Sequence, residues 1–80
     1  SLIQNAITCN IVGPEEINGS YELGNLNQIL KIPGVYIHLY GKATTSPNRK
    51  LGHYTILGSN TQELENKLNE VKKLLTVKST

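Results

Sequence analysis

The sequence predicts an α+β domain: a small antiparallel β-sheet with a hairpin, one short helix, and a C-terminal helix packed on the sheet. Three observations carry this. The stretches "AITCNIV" and "VYIHLYGK" alternate their side chains with a period of two, as half-buried strands do. The turn residues Ser46-Pro47-Asn48 stand between "VYIHLYGK" and a further strand candidate, "KLGHYTIL". Leu64, Leu68, Val71 and Leu75 then recur at steps of four, three and four, which puts them on one face of a helix.

In chain order, Ala6 to Val12 reads as a strand, with Ile7, Cys9 and Ile11 on one face and Thr8 and Asn10 on the other. Gly13-Pro14 ends it, because Pro14 has no amide to give a ladder. Glu15 to Gly24 is polar and turn-rich and reads as a loop. "NLNQIL", Asn25 to Leu30, fits about two helical turns, with Leu26, Ile29 and Leu30 on one side. Pro33-Gly34 marks a turn. From Val35 to Lys42 the strand turns Val35, Ile37 and Leu39 to a core, and Tyr36, His38, Tyr40 and Lys42 away from it. Ala43 to Asn48 joins it to "KLGHYTIL" as an antiparallel hairpin, and Gly52 marks a bulge or a close backbone approach.

The last helix has capping-box spacing at Ser59 with Gln62, or at Asn60 with Glu63. Glu63 and Glu65 near its start and Lys72 and Lys73 near its end suit the helix dipole. Glu63 and Lys67 add an i,i+4 pair. Thr76 to Thr80 is expected to fray.

Eighty residues make a single small domain with a modest core. Phe, Trp and Met are absent, so Ile, Leu, Val and Tyr must build that core. No apolar run approaches the roughly 20 residues of a membrane span, and the opening Ser1-Leu2-Ile3-Gln4 shows no leader pattern. A Ser start points to a processed or excised piece. Cys9, the one cysteine, has no internal partner, which fits a reducing, cytoplasmic setting. A net charge of +2 is too small to argue for nucleic acid by itself, so any electropositive site must be local.

One such place exists. Lys42, Arg49 and Lys50 flank the Ser-Pro-Asn turn, with His53 just beyond. An arginine fork and a lysine point charge suit phosphate or carboxylate. Spacing alone favours the plainer reading, a solvated hairpin tip. His53 has several open roles: it can orient a ligand, donate to phosphate, accept from a tyrosine, or simply sit on a half-buried strand. His38 is open in the same way. Cys9 reads as a small core residue, since no charged neighbour in sequence would activate it. No His and Cys have zinc spacing, no Gly-rich phosphate loop occurs, and no nucleophile stands beside a base. The residues themselves thus spell out no catalytic apparatus.

Together, "NAITCNIVG", "VYIHLYGK" and "PNRKLGHYTILG" resemble the C-terminal domain of the N5-carboxyaminoimidazole ribonucleotide synthetase family. That enzyme is the ATPase subunit of phosphoribosylaminoimidazole carboxylase and belongs to the ATP-grasp superfamily. The shared pattern is an Asn-containing strand ending in Gly (Asn10, Gly13), a strand ending Tyr40-Gly41-Lys42, and a loop Pro47-Asn48-Arg49-Lys50-Leu51-Gly52-His53 before a helix. The resemblance runs from about Asn5 to about Leu75. It implies the last domain of a longer ligase of purine biosynthesis, whose absent N-terminal and ATP-grasp domains bind ATP and Mg²⁺. The parent joins 5-aminoimidazole ribonucleotide and bicarbonate at the expense of ATP, and is implied to be a homodimer.

By position, the resemblance makes Lys42 and Arg49, with Lys50 behind them, ligands of the substrate phosphate, supported by His53 and Tyr40. No catalytic residue, metal ligand or cofactor is expected on this domain alone. Many relatives carry Arg just before the loop proline; Ser46 stands here, so that contact does not transfer. The alternative is a stand-alone basic module that binds RNA or an acidic partner through the Lys42–Lys50 hairpin, with Tyr36, Tyr40 and Tyr54 available to stack on bases.

Overall fold

The computed structural model describes residues 5–80. The opening Ser1-Leu2-Ile3-Gln4, read above for a leader, lies outside the described residues. In chain order the elements are β1 (Asn5–Val12), β2 (Gly19–Gly24), α1 (Leu26–Leu30), β3 (Val35–Leu39), β4 (Thr44–Thr45), β5 (Lys50–Gly58), α2 (Thr61–Leu74) and β6 (Thr76–Ser79). They form the expected α+β domain, but with two antiparallel sheets, ordered β1-β5-β3 and β4-β2-β6.

The first sheet holds the core. β5 is its central strand, flanked by β1 and β3. Ile7, Cys9 and Ile11 of β1 lie opposite Ile56, Tyr54 and Gly52 of β5. On the other side of β5, Ile56 and Tyr54 meet Val35 and Ile37 of β3. Leu64 and Val71 of α2 and Ile29 of α1 close this face into one apolar cluster. Ile29, Leu51, Ile56 and Val71 are fully buried, and each such side chain contributes roughly 1.5–3 kcal/mol by leaving water.

β5 carries the irregularity that Gly52 announced. Ile11 pairs with Gly52 and Val12 with Lys50, which leaves Leu51 as the extra residue of a bulge. Alternation with His53 would put Leu51 on the outer face; the bulge turns it inward, where it is 1% exposed. Gly52 also meets the close approach, since a Cβ there would run into the His38 carbonyl oxygen.

α2 begins with the Asn60 and Glu63 pair. The Asn60 side chain accepts from the Glu63 N–H at 2.8 Å, and the Glu63 carboxylate accepts from the Ser59 N–H at 2.8 Å. Glu63 and Lys67 form the i,i+4 ion pair at 3.1 Å, and the same ammonium donates to the Leu57 carbonyl at 3.0 Å.

Three expectations need correction. The stretch from Glu15 to Gly24 is not all loop, because Gly19–Gly24 forms β2. The end of the chain is tied down rather than frayed: Thr76 to Ser79 pair with Gly24 to Tyr21, so α2 is not the terminal element. The two misses share one cause, since each strand supplies the other's hydrogen-bond partner and neither is stable alone. The strand read from Val35 to Lys42 stops at Leu39. Gly41, at φ 71°, turns the chain away, and Thr44 and Thr45 then pair with Ser20 and Gly19 instead of extending the hairpin. β3 and β5 are nevertheless the antiparallel partners that the sequence predicted.

Candidate functional site

The Ser-Pro-Asn segment is a hydrogen-bonded turn. Arg49 N–H donates to the Ser46 carbonyl at 3.1 Å, and Asn48, the third of the four residues, sits at φ 64°. Proline second and a left-handed Asn third are the chemistry of a type II turn. The turn is strapped to the end of β1. Asn48 N–H donates to the Gly13 carbonyl and Gly13 N–H donates to the Arg49 carbonyl, both at 2.9 Å. Thr45, 2% exposed, lies beneath, and its hydroxyl donates to the Ser46 carbonyl.

Lys42 is held from another direction. The Tyr21 hydroxyl on β2 donates to the Lys42 carbonyl at 2.8 Å. The backbone on either side of the loop is therefore fixed by separate elements: β2 holds Lys42, and the end of β1 holds Arg49. Lys42 is half-buried, while Arg49 and Lys50 are exposed. Lys50 opens β5 opposite Val12. Among the described residues, the ion pair found is Glu63–Lys67, and no carboxylate neutralises these three loop cations. Three positive groups on one constrained loop with no internal counter-ion suit an anionic ligand.

His53 and Tyr40 come together beside this loop. The Tyr40 hydroxyl and His53 Nδ1 are 3.0 Å apart. His38 lies opposite His53 across β3 and β5, and the two imidazoles stack at 5.1 Å between centroids and 17° between planes. His38 also meets Tyr40 edge-on at 5.8 Å. Lys42 Nζ stands 5.9 Å from the Tyr40 ring centroid. The outward parity of His38 and His53 was legible in the strand pattern. The sequence also groups His38, Tyr40 and Lys42 on one face and pairs His53 with Tyr40 as support, although β3 ends before Tyr40 and Lys42.

Tyr21 was missed as a site residue. Its signal was present: Tyr21 and Leu23 alternate with Ser20 and Glu22, a strand pattern hidden in a polar stretch. Tyr54 and Cys9 belong to the core. Burial pushes the Tyr54 phenol up to about 12, and the Cys9 thiol beside it acts in the same direction. Among the described residues no three His, Cys, Asp or Glu gather into a metal-ligating group, and no helix is long and apolar enough to cross a membrane.

Fold and site together define a small α+β module that presents a constrained cationic loop. The chain belongs to the phosphoribosylaminoimidazole carboxylase C-terminal domain family, whose profile matches residues 6–67. It is 37% identical over 71 residues to phosphoribosylaminoimidazole carboxylase of Saccharomyces cerevisiae, covering 89% of this chain and 12% of that protein. It is 38% identical over 52 residues to N5-carboxyaminoimidazole ribonucleotide synthase of Synechocystis sp., covering 65% of this chain and 13% of that one. The crystal structure of N5-carboxyaminoimidazole ribonucleotide synthetase from Thermotoga maritima superimposes with a TM-score of 0.81 at 36% identity, over 94% of this chain and 21% of that chain. The chain thus spans about an eighth of the length of these curated relatives.

Proposed function

We propose that this chain is the C-terminal domain of an ATP-dependent ligase that carboxylates 5-aminoimidazole ribonucleotide with bicarbonate in purine biosynthesis. The loop cations bind the ribonucleotide 5′-phosphate: Lys42 and Arg49 directly, with Lys50 beside them. The observation that carries this reading is the doubly anchored loop, with β2 holding Lys42 and Gly13 holding the turn before Arg49, in a chain of this family. A fixed loop loses little entropy on binding, which is what a phosphate site needs from its cations.

Carboxylation itself belongs to the remainder of the enzyme, as do ATP and Mg²⁺. On this chain Glu63 is engaged by Ser59 and Lys67, and among the described residues no three His, Cys, Asp or Glu gather as metal ligands. On this reading the domain closes one side of a site shared with the ATP-grasp domain of a cytoplasmic, homodimeric enzyme. By itself it has no ATP-dependent activity.

The test is kinetic. In the full-length enzyme, Lys42→Ala and Arg49→Ala should each raise KM for the ribonucleotide by a factor corresponding to about 1.5–3 kcal/mol, the cost of a lost charge-assisted bond. KM for ATP should stay as it was. Normal ribonucleotide kinetics in both variants would overturn the assignment.

A further inference from the structure

We propose that His53, acting through Tyr40, is a positioning residue for the Lys42 ammonium, so that the hold on Lys42 depends on the protonation of His53. The inference rests on the phosphate-binding role given to Lys42 above and assigns that role a support.

The path is short and continuous. His53 sits on β5, the central and most buried strand of its sheet. Its Nδ1 meets the Tyr40 hydroxyl at 3.0 Å. Tyr40 N–H donates to the Leu51 carbonyl at 3.0 Å, which continues the β3–β5 ladder past Leu39 and fixes where the ring starts. The Lys42 ammonium stands 5.9 Å from that ring's centroid, within the range in which an aromatic face attracts a cation. His38 stacks on His53 and meets Tyr40 edge-on, so each ring has an aromatic neighbour. Tyr21 fixes only the Lys42 backbone; the ammonium needs its own support.

Protonation changes this support with a definite sign. When His53 is neutral with its proton on Nε2, the Tyr40 hydroxyl donates to Nδ1, and a donating phenol is richer in electrons and holds a cation better. When His53 is protonated, Nδ1–H donates to the phenol oxygen instead. The ring is then poorer in electrons, and a second positive charge meets its hydroxyl. Both effects loosen Lys42 as pH falls. The titratable groups facing His53 are His38 on β3, Tyr40 just after it, and Lys42 beyond the ring. From β1 it is faced by Asn10, which does not titrate. Protonated His38 adds to the repulsion and keeps the sign.

The primary measurement is NMR of the 80-residue chain, following the Lys42 ε-methylene and the His53 ring against pH. The Lys42 signal should move with the same midpoint as the His53 ring. Tyr40→Phe keeps the ring but removes the hydroxyl that meets Nδ1, and should cut the amplitude of this co-titration, leaving the charge repulsion alone. Tyr40→Leu should also remove the ring-current shift of Lys42. A Lys42 signal that stays flat while His53 titrates, or that follows His53 with undiminished amplitude in Tyr40→Phe, would overturn the proposal.

In the full-length enzyme, Tyr40→Leu should raise ribonucleotide KM by about two- to fivefold, the value of a cation–π contact, with kcat and the KM for ATP held. A Lys42→Ala control separates the two ideas. If Lys42→Ala leaves KM unchanged, the phosphate role fails while the NMR result still decides the positioning. If Lys42→Ala raises KM and Tyr40→Leu does not, the positioning role alone fails.

Discussion

Gly13 and Arg49 are joined backbone to backbone: the Gly13 N–H donates to the Arg49 carbonyl at 2.9 Å, while the Gly13 carbonyl accepts from Asn48. A residue that ends β1 therefore fixes a turn far along the chain. The contact needs glycine because a Cβ at this position would collide with the Ser46 carbonyl oxygen and the Thr45 hydroxyl. Gly13→Ala should lower stability by about 1–3 kcal/mol, the usual cost of overpacking. Urea unfolding gives the loss, and amide exchange at Asn48 and Arg49 should rise beyond it as the strap opens.

β2 and β6 depend on one another through the pairing of Tyr21 to Gly24 with Ser79 to Thr76. Removing residues 76–80 should strip hydrogen-exchange protection from Tyr21 to Gly24 and leave β5 protected. In the full-length enzyme, Tyr21→Phe keeps the packing but removes the hydrogen bond to Lys42. It should cost about 1 kcal/mol and raise ribonucleotide KM. Unchanged protection in the truncated chain would show that β2 stands without β6.

Tyr54 sets an alkaline limit. Burial raises its phenol from 10.0 to about 12, so the folded chain holds this proton more tightly than the unfolded one. The stability gained is fully present below the unfolded value and is lost as pH rises through the folded one. Wild type should therefore lose more stability than Tyr54→Phe across that window. Unfolding curves on both sides of the window measure the difference; parallel pH profiles would contradict it.

Glu63 acts at the acid end. The Ser59 N–H, and after it Lys67, hold its carboxyl below the ordinary glutamate value. Its contribution is present above the unfolded value and disappears as pH falls through the folded one. Glu63→Gln should thus be less stable than wild type at neutral pH and equal to it in acid. Asn60→Ala, which removes the cap of α2, should cost about 1 kcal/mol at both ends of that range.

Local patterns made much of this legible. Alternation placed β1 and β3, the Leu64 to Leu75 stripe placed α2, and Gly52 marked the bulge. Each depends on neighbours in sequence, as side-chain period and backbone freedom do. β2 and β6 were missed because a short polar strand is stable only through a partner that sequence proximity does not reveal. The same holds at the site. Lys42 and Arg49 stood out as cations around a turn, whereas Tyr21 and Gly13 work by contacts across the fold.

The sequence by itself determined the fold class, the family pattern from Asn10 to His53, and the loop that carries the cations. Only the tertiary structure decided that this loop is anchored from two sides, that Leu51 turns inward, and that Tyr40 meets His53 through its hydroxyl and Lys42 through its ring. The physical reason is range. Period, turn chemistry and capping act over a few residues, while a strap, a second sheet and a cation on a ring need chain segments that meet only after folding.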